Sequence, residues 1–537
     1  MRLKVSLYFF AILFGGVSYS AELLAQATDS AFVNKQLAEN SHPVITSGNP
    51  AGLQYFPVNG YSYAQVFAEK QNGPFINYYQ SDNSRTLGAM TESYKRINQR
   101  IIFKGRIAYE NFTGKHMGGS VFIDPYKNPL NIVENADSTA GTKKTEQYNL
   151  LGAVSTRIGS RLNIGASVDY TAANYTKIKD LRHTNSLLDI EARTGFNYRI
   201  NRLFDFGASY TYNRRIESVA FKTYGNLDRQ YLSLVDFGAF FGQTELHELN
   251  GYTGSSTTKP IVNISHSGTA QLLIKLTPSL SWFHEFTYTS RSGYYGKKGN
   301  TNIIYTEHEA TGYQYNSSFA LKQTNSLHTL KIGFNTEDLV NRENIFRSET
   351  NSGGNNRIVY YGQNDKLNQK TNNISVNYTA FLQINNLNPV WVLQAGGIYA
   401  SADKTVTMYP FYRNQLIRYY RISADALRNL IVRKNMYSFS IGLLYGKGNG
   451  TMKEDGLYAT PSSSQRPPAS REKYLQQEFE YLTRPRFSVS PAVKFSRPVQ
   501  KNITGYCGLQ YQYTQTFSAG ITGNEHNVWR LTVGCTF

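Results

Sequence analysis

The feature that most constrains this chain is an alternation of apolar and polar residues with a period of two, repeated along much of its length. In Leu162–Thr171, Phe204–Asn213 and Ile374–Gln383, apolar side chains occupy every second position. Successive side chains of a β-strand point to opposite faces, so each segment has one apolar and one polar face. Phe381 interrupts the polar face of the third segment. Repeated strands of this kind are typical of a barrel that meets lipid outside and encloses a polar lumen.

The predicted strands are joined by short and long connections in turn. Short turns are predicted near Gly159-Ser160, Ile200-Asn201, Thr277-Pro278, Thr324-Asn325 and Asn385–Asn388. Long polar connections are predicted for Thr113–Lys144, Glu217–Ser265, Asp338–Lys370 and Lys447–Arg484. Outer-membrane barrels have short periplasmic turns and long extracellular loops. The sequence therefore predicts an all-β fold: an integral outer-membrane antiparallel β-barrel of about 16 strands, within a range of roughly 14–18.

The composition favours one barrel over several soluble domains. The chain has 537 residues, of which 14% are aromatic, and its mean hydropathy is −0.44. A membrane barrel keeps a low mean hydropathy because only alternate residues face lipid, whereas a helical membrane protein needs runs of about 20 apolar residues. No linker divides the chain, so we expect residues 61–537 to form a single transmembrane β-barrel.

The beginning of the chain has the layout of a secretory signal peptide. In Met1–Ala27, the basic residues Arg2 and Lys4 precede a short apolar core that could not span a bilayer as a helix. Small residues offer two cleavage positions, after Ser20 or after Ala27, and the sequence leaves both open. Export predicts that the barrel lies in the cell outer membrane. Residues 28–60 then form an N-terminal periplasmic or hatch-like segment.

The final segment of the chain is its most specific motif. Trp529, Leu531, Val533, Cys535 and Phe537 form one apolar face, and polar or small residues alternate with them. An amphipathic last strand that ends in an aromatic residue resembles the C-terminal signal read by the outer-membrane barrel assembly machinery. The resemblance implies that Trp529, Leu531, Val533 and Phe537 form the assembly signal and that this machinery is a partner.

A second resemblance concerns the segment before the first strand. Ser47–Leu53 contains the triplet Asn49-Pro50-Ala51 and resembles the turn before the first strand in the long-chain fatty-acid transporter superfamily. That superfamily includes barrels with a small N-terminal hatch and barrels that assist protein secretion in Bacteroidota. The whole chain is similar to uncharacterised Bacteroidota-type outer-membrane β-barrels, a family without assigned function, in its Tyr- and Asn-rich strands, basic charge and long loops.

The charge of the chain bears on its partners. The formal net charge is +19, and such a basic exported protein suggests anionic neighbours: outer-membrane lipid and lipopolysaccharide, an anionic solute or a polyanion. No nucleic-acid recognition motif is present, so nucleic acid is not an expected partner.

Several charged residues fall on the polar faces of predicted strands, where they would line the lumen. They are Asp189, Glu191, Arg193, Arg199, Glu285, Arg291, Lys331, Lys494 and Arg530. Arg or Lys facing lipid at the bilayer midplane costs about 2–4 kcal/mol, so the lumen is the cheaper location. Two interpretations stay open: a charged constriction that selects solutes, or an internal network of ion pairs that fills the lumen.

Two further segments were interpreted from local pattern. Arg413–Lys434 is strongly basic, and its part Ala424–Ile431 favours a short helix that lines the pore, rests on anionic headgroups or forms a solvated connection. Cys507 and Cys535 lie on the apolar faces of two consecutive strands at similar depth. They are either two free lipid-facing thiols or a disulfide across the strands.

The sequence contains no convincing site for chemistry. Ser265-His266 lacks the asparagine that the outer-membrane phospholipase family requires nearby, and no G-x-S-x-G motif occurs. The His-carboxylate groups Glu245–Glu248 and Glu307–Glu309 match no known metal spacing. We therefore expect no enzyme activity, metal or cofactor. The leading hypothesis is a channel or transporter for a small solute. One alternative is a non-catalytic binding or assembly barrel acting with a surface lipoprotein or secretion machine, and another is a lipid-active enzyme.

Overall fold

The fold was obtained as a computed structural model. The structure describes residues 32–224, 230–249, 251–350, 354, 356–500, 502–518 and 520–537. The predicted signal peptide, Met1–Ala27, lies outside these residues. Among the described residues, no helix is both long and apolar enough to cross a membrane.

Most of the described chain forms one closed antiparallel barrel of 18 strands. Its strands are β1 Gly60–Asn72, β2 Asn83–Arg96, β3 Ile101–Met117, β5 Gly141–Ile158, β6 Leu162–Lys177, β7 Arg182–Arg199, β8 Phe204–Lys222, β11 Lys259–Lys275, β12 Leu280–Gly296, β13 Ile304–Lys322, β14 Ser326–Thr350, β15 Asn356–Asn385, β16 Asn388–Met408, β17 Phe411–Val432, β18 Asn435–Leu457, β20 Arg486–Gln500, β21 Ile503–Thr516 and β22 Glu525–Thr536. The barrel closes where β1 pairs with β22, with Val66 opposite Val533. The count lies at the upper end of the predicted range and exceeds the preferred value of 16.

The structure corrects two local predictions. Ala424–Ile431 is not a helix but part of strand β17, because Ala424 pairs with Ala395 on one side and with Leu443 on the other. Pairing along both edges overrides a local helix preference. Asp338–Lys370 is not a loop: β14 and β15 continue through most of it and pair as far as Thr350 and Asn356. The residues there are polar because the two strands extend beyond the part of the barrel that faces the hydrocarbon core of the membrane.

The two faces of the barrel wall differ as the alternation predicts. Large apolar side chains are exposed on its outer face, among them Ile164, Val168, Phe206, Leu509 and Leu531. The alternate positions point into the lumen and are mostly polar, small or charged. A closed barrel with an apolar outer face is the architecture of integral outer-membrane proteins. The protein is therefore a β-barrel of the cell outer membrane.

The connections at one end of the barrel are short, whereas the other end carries all the long connections together with a few short ones such as Tyr409-Pro410. The five predicted short turns coincide with the connections that end β5, β7, β11, β13 and β15. We call this the inner end, expected to face the periplasm, and the opposite end the outer end.

Long connections at the outer end fold into a cap. It contains a small antiparallel sheet and a helix: β4 Asn131–Glu134, β9 Leu232–Asp236, β10 Phe241–Leu246, β19 Ala469–Ser470 and a helix at Glu472–Thr483. The cap buries Phe122, Leu234, Phe240 and Leu475 together with lumen-facing residues of the barrel strands such as Val406. Apolar side chains therefore fix the cap inside the outer mouth.

The described residues before β1 fill part of the inner end. They form helix α1, Lys35–Asn40, and two 3₁₀ turns, Pro43–Thr46 and Pro50–Tyr55. The Asn34 amide donates to the Leu387 carbonyl at 2.9 Å, which ties the start of this segment to a short turn. We call residues 32–59 the N-terminal segment and the helix at Glu472–Thr483 α2.

Candidate solute pathway in the lumen

Asn49 is the main polar anchor of the N-terminal segment. Its Nδ2 donates to the Phe196 carbonyl at 2.8 Å and to Gln271 Oε1 at 2.9 Å, while its Oδ1 accepts from the Ala51 amide at 3.0 Å. Asn49 is 2% exposed, and its Nδ2 hydrogens have acceptors in the barrel wall. The triplet that carries the resemblance to the fatty-acid transporter superfamily therefore lies inside the barrel.

Two glycines of the barrel wall make room for this turn. A Cβ on Gly165 would lie 2.5 Å from the carbonyl carbon of Pro50, and one on Gly195 would overlap Oδ1 of Asn49. Neither contact can exist with a larger residue unless the backbone moves. Gly165 allows close approach of the Pro50 backbone, and Gly195 leaves room for the Asn49 side chain; neither is required for a turn conformation.

Phe381 supplies an apolar contact in an otherwise polar lumen face. It is fully buried and packs with Leu37, Leu327 and Val392. Leu37 belongs to α1 and points from the N-terminal segment onto this patch. The interruption of the alternation at Phe381 is thus explained by docking of α1.

His42 is held neutral inside the segment. Its ring stacks on Tyr55 with centroids 3.8 Å apart, and its Nδ1 is enclosed without a hydrogen-bond partner. Burial lowers the pKa of His42 to about 3, helped by the positive charges of Lys275 and Arg199. Tyr55 in turn donates to Asn197 Oδ1 at 2.5 Å.

Most of the charges predicted to line the lumen form ion pairs. The contacts are Asp189 with Arg215 at 3.4 Å, Glu191 with Arg193 at 2.7 Å, Arg199 with Asp205 at 3.8 Å, Arg291 with Glu337 at 2.7 Å and Arg530 with Glu69 at 2.9 Å. Three of these pairs join adjacent strands, whereas Glu191 and Arg193 share β7, and Arg291 on β12 reaches Glu337 on β14 across β13. These contacts are those expected of an internal network of ion pairs rather than of a single ring of charge around the lumen.

Three of the predicted lumen charges make other contacts. Glu285 accepts from Gln271 Nε2 at 2.6 Å, below the Asn49 anchor. Lys331 Nζ donates to the Thr46 hydroxyl at 3.2 Å and so touches the N-terminal segment. Lys494 Nζ lies 4.0 Å from the centroid of the Tyr506 ring.

Two cavities lie along one side of the lumen. The outer cavity, ≈ 500 Å³, lies below the cap and is lined by Gln71, Tyr481, Arg486 and Gln512 among others. The inner cavity, ≈ 440 Å³, lies beside the N-terminal segment and is lined by Asn34, Lys494, Tyr506 and Arg530 among others. Strands β18, β20, β21 and β22 contribute to both, and we call these four strands the open wall.

The open wall carries small side chains between its two cavities. On β20 the lumen-facing residues after Arg486 are Ser488, Ser490 and Ala492, followed by Lys494. On β18, Gly442 lies opposite Ser490. The N-terminal segment packs elsewhere, with its second 3₁₀ turn against β3, β5, β6 and β7. A strip of small side chains therefore lies between the two cavities, next to the docked segment.

Sequence reasoning missed the importance of Arg486 and of the salt-bridged Asp205, Arg215 and Glu217. The signal was present for Arg486, since Arg486–Lys494 alternates as clearly as the segments chosen. Prediction of a loop up to Arg484 concealed it.

Both cysteines are free, and both lie on the lipid-facing side of their strands. In the register of β21 and β22, Cys507 is opposite Val533 and Cys535 is opposite Gly505. Diagonal positions have Cβ atoms about 7–8 Å apart, whereas a disulfide needs about 3.5–4.5 Å. The register therefore argues against a disulfide between Cys507 and Cys535.

The residues considered as catalytic or metal-binding groups either point away from each other or are hydrogen-bonded to other side chains. Ser265 and His266 point to opposite faces of β11, and His266 Nδ1 lies 2.6 Å from the Tyr210 hydroxyl. His247 bonds Ser233 at 2.8 Å and His308 bonds Asn263 at 2.8 Å. No group of three or more potential metal ligands is found in the described part of the chain.

The last strand closes the barrel with its apolar face outward. Trp529, Leu531, Val533 and Phe537 are all exposed on the outer face. The Phe537 amide donates to the Ser62 carbonyl at 2.8 Å, and the Ser62 amide donates back to Phe537 at 2.8 Å. The residues of the proposed assembly signal therefore form the seam with β1.

Comparison with solved structures gives only distant likenesses. The RagAB peptide transporter has 7% identity over 89% of this chain and 86% of that chain, with a TM-score of 0.42. The ferric yersiniabactin uptake receptor FyuA from Yersinia pestis has 7% identity over 89% and 80%, with a TM-score of 0.42. The outer membrane transporter YddB from Escherichia coli has 7% identity over 89% and 81%, with a TM-score of 0.40. These scores carry no inference about function.

Comparison at the level of sequence is more definite. No curated protein matches the chain. One family profile matches residues 50–537. This range begins at Pro50, within the turn before β1, and includes the whole barrel. The chain belongs to the Family of unknown function (DUF6850).

Proposed function

We propose that this barrel is a gated channel or transporter for a small solute across the outer membrane. The observation that carries the proposal is the open wall, which lines both a cavity under the cap and a cavity beside the N-terminal segment and has small side chains between them. Cavities of about 300–1,000 Å³ suit small organic ligands. Both ends of the lumen are partly filled, so passage requires a gate rather than a wide pore.

The N-terminal segment has the properties of a gate. Its apolar contacts with the barrel form three separate groups: Leu37 against Phe381, Val44 against Leu273 and Phe283, and Phe56, which stacks on Tyr94 with centroids 4.0 Å apart. Burying one such side chain stabilises docking by roughly 1.5–3 kcal/mol. Docking therefore rests on several separate side-chain contacts rather than on one continuous core, which suits a segment that must leave the lumen.

An efflux assay tests this function. Purified protein in liposomes loaded with a small neutral or charged dye is compared with a variant that lacks residues 32–59. We expect slow efflux from the full barrel and much faster efflux from the deletion variant. Equal, background-level efflux from both, with circular dichroism of a folded barrel, would contradict transport.

A second candidate is a binding barrel that works with a surface partner. One observation favours it: β14–β18 have 25, 30, 21, 22 and 23 residues, although about 9–11 residues suffice to cross the membrane. One side of the barrel therefore projects beyond the bilayer and carries exposed Phe346, Tyr360 and Tyr361. Co-purification from native outer membranes, with and without shortening of the β14–β15 hairpin, tests this alternative. Recovery of the barrel alone from both samples counts against it.

A further inference from the structure

Two arginines flank one glycine in the outer cavity. In the register of the wall, Gly446 on β18 pairs with Arg421 on β17 and with Arg486 on β20. A Cβ on Gly446 would lie 3.3 Å from Cγ of Arg421 and 3.5 Å from Nε of Arg486. Neighbouring strands are about 4.7–4.9 Å apart, so the two side chains enter the lumen side by side over the space that the glycine leaves.

These two arginines lack the carboxylate partners found at other buried arginines of the barrel. Arg413 pairs with Asp455 at 2.6 Å and with Glu472 at 3.1 Å. Arg215 pairs with Asp189 and Glu217, each at 3.4 Å. In the described structure, by contrast, neither Arg421 nor Arg486 is within ion-pair distance of an acidic side chain.

The hydrogen bonds of the pair also leave capacity for a ligand. Arg486 is 6% exposed and donates to the Tyr481 carbonyl at 2.6 Å. Nε of Arg421 is buried without a hydrogen-bond partner. A guanidinium offers five donors in a planar fork, so most of the donors of both residues are unused by the protein.

The surroundings of the pair are free of negative charge. Among the described residues that line the outer cavity there are two arginines and one histidine, His526, but no Asp or Glu. Glu69, near the floor, is engaged by Arg530 at 2.9 Å and by Gln71 at 2.7 Å. On β17 the next carboxylate is Asp425, four residues further in, beside Gly442.

The rest of the cavity lining suits an organic body rather than a bare ion. Phe75, Tyr79, Phe112, Tyr175 and Tyr481 contribute aromatic surface. The guanidinium of Arg486 itself lies 5.1 Å from the centroid of Tyr481 and 5.5 Å from that of Phe75. Aromatic rings offer stacking surface for planar groups, while serine, threonine and glutamine side chains offer hydrogen bonds.

We propose that Arg421 and Arg486 form a binding site for an organic anion: a carboxylate, sulfate or phosphate ester attached to a body that fits ≈ 500 Å³. Paired arginine forks bind such groups by charge-assisted, often bidentate hydrogen bonds. This inference rests on the proposed transport function, since it names the substrate class of the same lumen. Small side chains on the open wall lead from this site toward Lys494, the next cation on β20.

Calorimetric titration of the full barrel in detergent tests the site without any transport step. The probes are benzoate, benzyl alcohol and benzylammonium, which share a body and differ in charge, and inorganic sulfate. We expect benzoate to bind most tightly, sulfate more weakly because it lacks the aromatic body, and the neutral and cationic probes not measurably. Binding of benzyl alcohol as tight as that of benzoate, or of sulfate tighter than benzoate, overturns the proposal.

Variants of the two arginines and of Gly446 test where benzoate binds. Arg486→Gln and Arg421→Gln should each weaken benzoate binding by roughly tenfold or more, since hydrogen bonds to charged groups are stronger than those between neutral groups. Gly446→Asp should abolish binding by supplying an internal carboxylate between the arginines. Arg466→Gln, in an exposed loop, and Gly60→Asp, at the inner end of β1 where an added Cβ meets no atom within 4 Å, give the same charge changes and should bind as the native chain does.

The outcomes separate this inference from the transport proposal. Unchanged benzoate affinity in both arginine variants, with folded barrels, overturns the site whatever the efflux assay shows. Benzoate binding that the arginine variants lose, in a barrel that never releases dye, supports the site and contradicts transport.

Discussion

Leu37 in the N-terminal segment packs on Phe381, a lumen-facing residue of β15 that is fully buried. A phenylalanine at this position would otherwise be exposed in a polar lumen. The contact accounts for the single break in an alternating strand and identifies where the segment is held.

Loss of this contact should release the segment. Phe381→Ser removes a buried aromatic side chain, and comparable truncations cost about 3–5 kcal/mol. We expect residues 32–59 to become susceptible to protease added from the inner side, while the barrel stays resistant. Phe381→Leu keeps an apolar contact and should protect the segment nearly as well as the native residue. Equal cleavage of Ser and Leu variants would disprove the assignment.

Glycine at Gly165 should be essential for docking. Gly165→Val places side-chain atoms where Pro50 lies, because even a Cβ would come within 2.5 Å of it. The same protease assay should show a released segment. Gly152→Val serves as the matched control on the neighbouring strand, since a Cβ there meets no atom within 4 Å. A protected segment in the Gly165 variant contradicts the docked position.

Docking of the segment should weaken in mild acid. The pKa of His42 is lowered by burial to about 3, while a released His42 titrates near 6.5. Between these values the released form binds more protons, so docking is fully stable above about pH 6.5 and loses roughly 1.4 kcal/mol per pH unit below it. Hydrogen exchange of α1 from about pH 5 to 7.5 measures this, within a range where most carboxylates stay ionised.

His42→Phe keeps a ring to stack on Tyr55 and removes the titrating group. It should make the docking of α1 insensitive to pH over this interval. A pH dependence that persists unchanged in the variant assigns the effect to another group.

Arg413 should hold the cap in the outer mouth. It bonds Asp455 on β18, Glu472 of α2 and the Ser470 hydroxyl of β19. Arg413→Met removes these bonds; since Asp455 and Glu472 are 45% and 49% exposed, the cost should lie between the roughly 0–1 kcal/mol of an exposed ion pair and the roughly 3–5 kcal/mol of a buried one. Hydrogen exchange in α2 should rise strongly, whereas Lys453→Met, which removes a more exposed cation from Glu472, should change it little. Unchanged protection of α2 in the arginine variant would argue against this role.

The sequence predicted the wall of the barrel better than its contents. Alternation marks a strand wherever one face meets lipid, and Gly159-Ser160 or Thr277-Pro278 mark turns by local preference. Ala424–Ile431 was misread because its pairing partners, such as Ala395 and Leu443, are distant in the chain.

The site could not be derived in the same way. The proximity of Arg421 and Arg486 depends on the register of both strands against Gly446, which no local pattern encodes. The role of Phe381 was equally hidden, since its partner Leu37 is more than 300 positions away in the sequence. Long-range packing, rather than periodicity, decides what fills the lumen.

Single-channel recording in planar bilayers tests the central claim, that the N-terminal segment gates a solute path along the open wall. We expect the native barrel to stay mostly closed with rare openings, and Phe381→Ser to open frequently while Phe381→Leu behaves like the native chain. Identical, closed records for all three folded proteins, even after removal of residues 32–59, would contradict the claim.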